Sequence, residues 1–283
     1  MKLGRFTIEQ LSEGRFEVFS DGTINREPVE QSEKKREHLS KSENSARVGI
    51  NPILVSDGDH NILLDTGLGW GLDAGSSYKN ISNVVSNLDI FDISPEDITH
   101  VILSHLHYDH SAGSSFTNRD SMTCATFPNA TYHVQQREWD YALKEQFSEQ
   151  KIKGCDYNLD DIYRLAAEDR INFVQEDNLQ VLEGIKILWT GGHTPGHQAV
   201  RIHDAGETAY YLGDLLPNEN HLNQYSMRQL DLIPLHAKKM KIQLLRGAFE
   251  EEAMLLFYHS LYSGIGRLEK DDNKKYVLKE VND

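Results

Sequence analysis

Cysteine is almost missing from this chain: Cys124 and Cys155 are the only two in 283 residues, and neither belongs to a Cys-x-x-Cys pair. That excludes a disulfide framework and a cysteine-based zinc knuckle. Long apolar runs are missing too. No stretch approaches the ~20 consecutive apolar residues that a membrane-crossing helix requires, and the opening Met1-Lys2-Leu3-Gly4-Arg5 begins no apolar run of signal-peptide length. A cytoplasmic location without a membrane partner is the expectation. Positive charge is scarce: 29 lysines and arginines against 44 acidic residues give 29 − 44 = −15. Such a surface repels phosphate backbones and anionic lipid, so no nucleic-acid partner is expected. Repeats of fixed length and low-complexity segments are absent as well.

What is present is enough apolar material, 39% of residues, for a substantial core, and a length compatible with one domain over 1–283. Alternation of apolar and polar side chains at Phe6, Ile8 and Leu11, then at Phe16 and Val18, predicts two short strands about a turn at Gly14. The charged stretch from Asn25 to Arg47 reads as a solvated loop, or as a flap over a pocket or partner. Asn51 to Val55 and Asn61 to Gly67 read as a hairpin turned at Asp57-Gly58-Asp59. Helical spacing covers residues 79–90, with Ile81, Val84, Val85 and Leu88 on one face. A turn at Ser94-Pro95-Glu96-Asp97 then leads to the run Ile98 to Leu103, whose near-continuous apolarity predicts a strand buried on both faces.

Farther along, Asn129 to Val134 reads as a strand, and helices are expected from Gln136 to about Gln150 and around Ile162, Leu165 and Ala166. Strands follow over Leu179 to Val181, Ile185 to Trp189, Ala199 to Ile202 and Thr208 to Leu212. The remaining expectations are a loop from Gly213 to Asn223, helices near Ala237 to Leu245 and over Glu250 to Leu255, and a short strand Leu255 to Tyr258. Strand-rich and helical stretches alternate, and apolar strands need cover on both sides. The expected class is therefore α/β, with two sheets between helical layers.

One segment carries most of the chemistry. His105-Leu106-His107-Tyr108-Asp109-His110 follows the buried strand directly. Three imidazoles and a carboxylate within six residues supply nitrogen and oxygen ligands suited to Zn2+, Fe2+ or Mn2+. On a sharply turning loop His105 and His107 can face one ion, while Asp109 and His110 face a neighbour. Without a cation such imidazoles would titrate near neutral pH. A surface cluster or affinity tag would lack the interleaved aspartate and the preceding strand.

His-x-His-x-Asp-His after a buried strand resembles the signature of the metallo-β-lactamase superfamily, and further stretches match that superfamily in order over roughly residues 50 to 260. The resemblance implies a sandwich of two mixed sheets between helical layers, αββα. It implies that Asp65 of Asp65-Thr66-Gly67 supports the metal site from behind. It assigns His197 of Thr194-Pro195-Gly196-His197 to the ion of His105 and His107, and makes Asp214 of Gly213-Asp214 the bridge between two ions. The last ligand is implied to be His259, at the end of Phe257-Tyr258-His259. His193 is read as loop support, His100 as a hydrogen-bonded strand residue and His60 as solvated. His236 competes with His259 for the final place, although an exposed helix start is its better account.

Asp214-Leu-x-Pro-x-x-x-His221 resembles the subgroup of quorum-quenching lactonases and methyl parathion hydrolase-like enzymes, which brings in His221 either as a residue for substrate or as an ordinary member of the loop. The expected cofactors are two divalent ions, Zn2+ first, with Fe2+, Mn2+ or Co2+ as alternatives. Two ions sharing Asp214 would share a water of pKa lowered towards ~7, with Asp109 as general acid. The expected activity is hydrolysis of a small-molecule ester, with the lactone of an N-acyl homoserine lactone leading. The alternatives are an arylesterase or phosphotriesterase and, in a different class, a mononuclear iron persulfide dioxygenase.

The compact lactonases carry a tyrosine three residues after the bridging aspartate. Pro217 stands there in this chain, so another donor, such as His221 or Tyr225, would have to stabilise the oxyanion. A glutathione thioesterase usually adds a helical domain, and only 283 − 259 = 24 residues follow His259. The −15 charge argues against a nuclease. An oxygen-reducing di-iron protein would carry Glu where His107 stands. The resemblance is compatible with a homodimer, although no stripe in the sequence marks an interface.

Overall fold

The computed structural model describes residues 1–19, 24–26, 45–69, 83–118, 120–148, 157–262 and 264–280. Two seven-stranded sheets dominate. The first runs in the order Lys2–Leu3, Phe6–Gln10, Ile53–Ser56, Asn61–Leu64, His100–Ile102, Thr131–Gln135 and Ile171–Val174, antiparallel at its early edge and parallel from Asn61–Leu64 onward. The second runs Asn178–Leu182, Ile185–Trp189, Gln198–Asp204, Glu207–Tyr211, Met254–Leu256, Ile265–Lys270 and Tyr276–Glu280. It is antiparallel except for the pairing of Glu207–Tyr211 with Met254–Leu256, which the helix Pro234–Glu250 connects.

Strand periodicity builds the layers. Successive side chains point to opposite faces, so Ile53 and Val55 enter the core between the sheets while Leu54 faces outward, and Ile62 and Leu64 point in where Leu63 points out. The inner faces of both sheets meet in one cluster that includes Phe6, Ile102, Ile187, Val200, Tyr211 and Leu256. Outside the first sheet, Leu63, Val101 and Tyr132 pack with Val84 and Leu88 of the helix Asn83–Asp89, Ala142 of Gln136–Gln146, and Ile162 and Leu165 of Asp160–Ala167. Outside the second, Ala199, Tyr210 and Leu255 pack with Leu245 and Ala248. The layers are helix, sheet, sheet, helix, and each buried aliphatic side chain contributes roughly 1.5–3 kcal/mol relative to exposure.

Parallel pairing decides where the functional loops emerge. Asn61–Leu64 and His100–Ile102 pair in parallel, so Asp65 and Ser104 leave the first sheet at one edge. Tyr211 pairs in parallel register with Leu256, so Asp214 and His259, each three residues farther on, leave the second sheet side by side. Gln198 pairs with Trp189, which returns the loop 190–197 to the same end.

Several expectations need correction. The helix near Ala237 to Leu245 extends over all of Pro234–Glu250. The separate helix expected over Glu250 to Leu255 does not form, because the chain turns at Glu252, with φ of 49°, and enters the strand Met254–Leu256. That strand therefore ends before Phe257-Tyr258. The ends of the charged stretch are strands: Ile24–Arg26 and Ser45–Ile50 both pair with Gly14–Phe19, and residues 27–44 lie outside the described residues. Residues 79–82 and 149–150 of the expected helices, and Cys155, also lie outside them, while Cys124 is free. Among the described residues no helix is long and apolar enough to cross a membrane.

Candidate metal centre

Asp65 is the first element of the site. Its backbone takes φ of 57°, and its fully buried carboxylate accepts hydrogen bonds from Ser104 N (2.6 Å), Ser104 Oγ (2.7 Å), His110 Nδ1 (2.7 Å) and the Tyr211 hydroxyl. Because a carboxylate only accepts, His110 carries a proton on Nδ1, which leaves Nε2 as the nitrogen turned toward the cluster. The same reasoning extends around the site. His259 Nδ1 donates to Gly49 O at 2.9 Å, and His193 Nδ1 donates to Asp231 Oδ1 at 3.2 Å. Ser104 Oγ gives its proton to Asp65, so it accepts from His105 Nδ1 at 3.0 Å. In each case Nε2 is left free to ligate.

Those nitrogens converge. His105 Nε2 lies 2.9 Å from His107 Nδ1, which lies 3.2 Å from His193 Nε2. His110 Nε2 lies 3.3 Å from His259 Nε2, and Asp109 Oδ2 is 3.4 Å from His259 and 3.8 Å from His110. Asp214 stands between the two groups. Its Oδ1 is 3.1 Å from His259 Nε2 and 3.4 Å from His110 Nε2, and its Oδ2 is 3.4 Å from His193 Nε2. His105, His107 and His193 form one set of atoms close enough to hold an ion and Asp109, His110 and His259 form another, and a third set, His105, His110 and Asp214, links the two.

Electrostatics follow from burial. Desolvation, with neighbouring imidazoles, holds His105 well below the ordinary histidine value, and desolvation lowers His107 to about 4 against the pull of Asp109 and Asp214. His193 is likewise held low by burial. Burial also opposes charge on His110, but Asp109 and Asp65 outweigh it and raise that imidazole well above 6.5. Asp214 is held well below 3.8 despite burial, by His259, Arg228 and His193. Imidazole nitrogens facing one another, with Asp214 Oδ1 buried and lacking a hydrogen-bond donor, are what divalent cations with nitrogen and oxygen preference fit, and a bound cation would displace the proton that His110 Nε2 otherwise holds.

Six of the seven residues expected as ligands come together here. His197 does not. Its Nδ1 lies 2.6 Å from Thr190 Oγ1 and its Nε2 accepts from Asp214 N at 3.0 Å, so both ring nitrogens are engaged. The place expected for it is taken by His193, for which a supporting or loop role is the expectation from sequence. The tight loop 191–197 turns the earlier imidazole inward and sets the later one behind Asp214. His236, in the first turn of its helix, donates from Nε2 to Thr190 O at 2.8 Å, away from the cluster. His100 pairs with His133 at 3.1 Å, and His60 lies against Asp57.

His221 is half-buried at the end of Glu219–His221, with Nδ1 2.7 Å from Asn218 Oδ1. Burial first, then Arg228, lowers its imidazole to about 4. Tyr225 is exposed and rests near the Lys238 ammonium, 5.9 Å from its ring centre.

Sequence reading missed three further residues. Arg228 places its guanidinium against Asp214, 3.1 Å from Oδ2, and also donates to Asp214 O. Asp231 orients His193. Glu138, wholly buried, bonds to both histidine-bearing loops. Arg228 and Asp231 lie in an irregular segment and Glu138 in an ordinary helix, so no motif marks any of them.

The family model described as Metallo-beta-lactamase superfamily matches residues 46–232. An N-acyl homoserine lactonase of Bacillus cereus is 31% identical over 120 residues, 42% of this chain and 38% of that relative, so the match spans less than half of the relative's length. Among solved structures, a probable metal-dependent hydrolase from Staphylococcus aureus superposes with a TM-score of 0.74 at 23% identity, covering 100% of both chains. AidC, a dizinc quorum-quenching lactonase in complex with a product N-hexanoyl-L-homoserine, superposes with a TM-score of 0.71 at 20% identity, covering 100% of this chain and 97% of that one. At such identity the structural likeness speaks for the fold.

Proposed function

The chain belongs to the metallo-β-lactamase superfamily, and from that premise we propose that it is a dinuclear metal-dependent hydrolase of ester-type bonds, with N-acyl homoserine lactones as the leading substrates. The observation that carries this reading is the convergence of His105, His107 and His193 on one side of Asp214 and of Asp109, His110 and His259 on the other. His105, His107 and His193 would hold one ion; Asp109, His110 and His259 would hold the second; Asp214 would join them. Zn2+ is the expected metal. Divalent ions bound there would make hydroxide available near neutral pH and polarise the substrate oxygen.

The chain's own groups supply the rest. Asp65 and Asp231 fix the tautomers of His110 and His193, and His197 fixes the backbone of Asp214. Asp109, the most exposed carboxylate of the cluster at 29%, can hold a proton and return it to the departing alkoxide once the acyl C–O bond has broken. Arg228 lies beside Asp214, its guanidinium 3.1 Å from Oδ2, so it is the donor that offsets negative charge developing on the substrate oxygen. His221, neutral at pH 7, would contact substrate without adding charge. The lactonase preference is also supported by the similarity to the Bacillus lactonase sequence.

The test is a hydrolysis panel of acyl homoserine lactones, aryl esters, phosphotriesters and a β-lactam on protein of measured metal content. Two ions per chain with lactones turned over fastest is the expected result. Phosphotriesters or aryl esters outrunning lactones would replace the substrate, and a single iron per chain would replace the reaction class with that of a persulfide dioxygenase.

A further inference from the structure

We infer that Glu138 is the positioning residue of one half of the centre: it fixes the three-histidine group of His105, His107 and His193 by holding their two loops on the two oxygens of one buried carboxylate. The inference rests on the metal-site reading above and concerns a residue that touches neither metal position nor substrate.

The division of labour is visible atom by atom. Oε1 accepts from Leu106 N at 3.0 Å, the peptide between His105 and His107, and from the Tyr157 hydroxyl at 3.0 Å. The Tyr157 ring lies 5.0 Å from the His107 ring, and the two residues also pair through an isolated backbone bridge. Oε2 accepts from Thr194 Oγ1 at 2.6 Å and Gly196 N at 3.2 Å, both in the loop that carries His193. Four donors thus surround one carboxylate with no exposed surface. The other half of the centre is held differently, through Asp65 for His110 and Gly49 O for His259.

The placement requires a small residue opposite. A Cβ on Gly196 would overlap the Glu138 backbone nitrogen, so Gly196 lets the loop close onto the first turn of Gln136–Gln146. Glu138 reaches forward from that turn into the gap between the loops. Glutamine has the same shape but only one accepting oxygen, so it can hold one loop, and its amide N–H groups then face the donors of the other. The geometry of the three-histidine group should loosen while that of Asp109, His110 and His259 stays as it is.

The test is zinc competition against a graded chromophoric chelator, with zinc per chain counted, on the full chain carrying Glu138→Gln. Wild type should hold two ions. Glu138→Gln should hold one of them about 10- to 100-fold more weakly, the usual cost of removing a group that orients metal ligands, with the second changed less than about threefold.

Paired backgrounds identify the ion. Combined with His259→Ala, Glu138→Gln should remove the remaining tight zinc; combined with His193→Ala, it should change little further. If Glu138→Gln folds poorly, Tyr157→Phe and Thr194→Val, each removing one donor, should show the same selectivity in smaller measure. Equal weakening of both ions in step with a lowered Tm would reduce Glu138 to a general stabiliser and overturn the proposal. Two ions held unchanged by Glu138→Gln would overturn it alone, whereas a wild-type chain that binds no zinc would overturn the metal-site reading as well.

Discussion

Asp65→Asn gives the sharpest test of how the second half of the centre is built. Asparagine keeps the size of the side chain and tolerates the positive φ of 57° at this position, so the backbone need not move. One oxygen can still accept from Ser104 N, now 2.6 Å away. The amide nitrogen would then face Ser104 Oγ, Tyr211 Oη and His110 Nδ1, all within hydrogen-bond distance of Oδ2. The two hydroxyls can rotate to accept. His110 can relieve the N–H to N–H clash only by moving its proton from Nδ1 to Nε2. That atom is the one aimed at His259 and Asp214, 3.3 Å and 3.4 Å away, and a protonated Nε2 cannot ligate.

The expected result is a loss of affinity of about 10- to 100-fold for the ion of Asp109, His110 and His259, or about 1.4–2.8 kcal/mol. The ion of His105, His107 and His193 should be nearly unaffected. Zinc competition reads both numbers in one titration. Affinities of Asp65→Asn within twofold of wild type for both ions would refute the tautomer argument, since the clash at Nδ1 would then have been absorbed elsewhere.

Other substitutions address separate links. Gly196→Ala should destabilise the protein by about 1–3 kcal/mol, the range for forcing an extra carbon into a packed contact, because its Cβ would strike the Glu138 backbone; thermal unfolding measures it. Arg228→Gln should lower kcat on the best substrate by about 100-fold with KM little changed, and a rise in KM at constant kcat would show instead that Arg228 only binds substrate. Glu13, buried beside Leu68 N at 2.8 Å, is raised by desolvation from 4.5 to about 7. The folded state therefore holds that proton more tightly than the unfolded chain. Its contribution to stability is fullest below pH 4.5, is lost as pH rises to about 7, and is constant above that. Glu13→Gln should remove this slope and gain up to about 3 kcal/mol over wild type at pH 8, as urea unfolding at pH 5 and pH 8 would reveal. Chelation should lower Tm by the linkage of bound metal to folding, and a Tm indifferent to chelator would speak against tight ions.

Local pattern made much of this protein legible. Apolar runs at Ile53-Leu54-Val55 and at Ile62-Leu63-Leu64 marked strands with two buried faces, and the cluster from His105 to His110 after an apolar strand marked a candidate metal-binding loop, because both signals lie within a few residues. The end of the helix Pro234–Glu250 was harder to read. The residues over Glu250 to Leu255 are good helix formers, and the parallel pairing of Met254–Leu256 with Glu207–Tyr211 overrides them.

The choice between His193 and His197 was undecidable from spacing, since both imidazoles flank the same Pro-Gly turn. In the structure His197 meets Asp214 N, a contact across 17 residues, while His193 meets Asp231, 38 residues away, and faces the cluster. By itself, then, the order of residues determined the strands, the layered class and most of the residues that gather at the candidate centre. Tertiary structure decided which imidazole faces inward, which proton each ring carries, and that Glu138 and Arg228 belong to the centre. Those properties depend on hydrogen-bond partners brought together by sheet register, and no local run of residues encodes a partner that arrives from another strand.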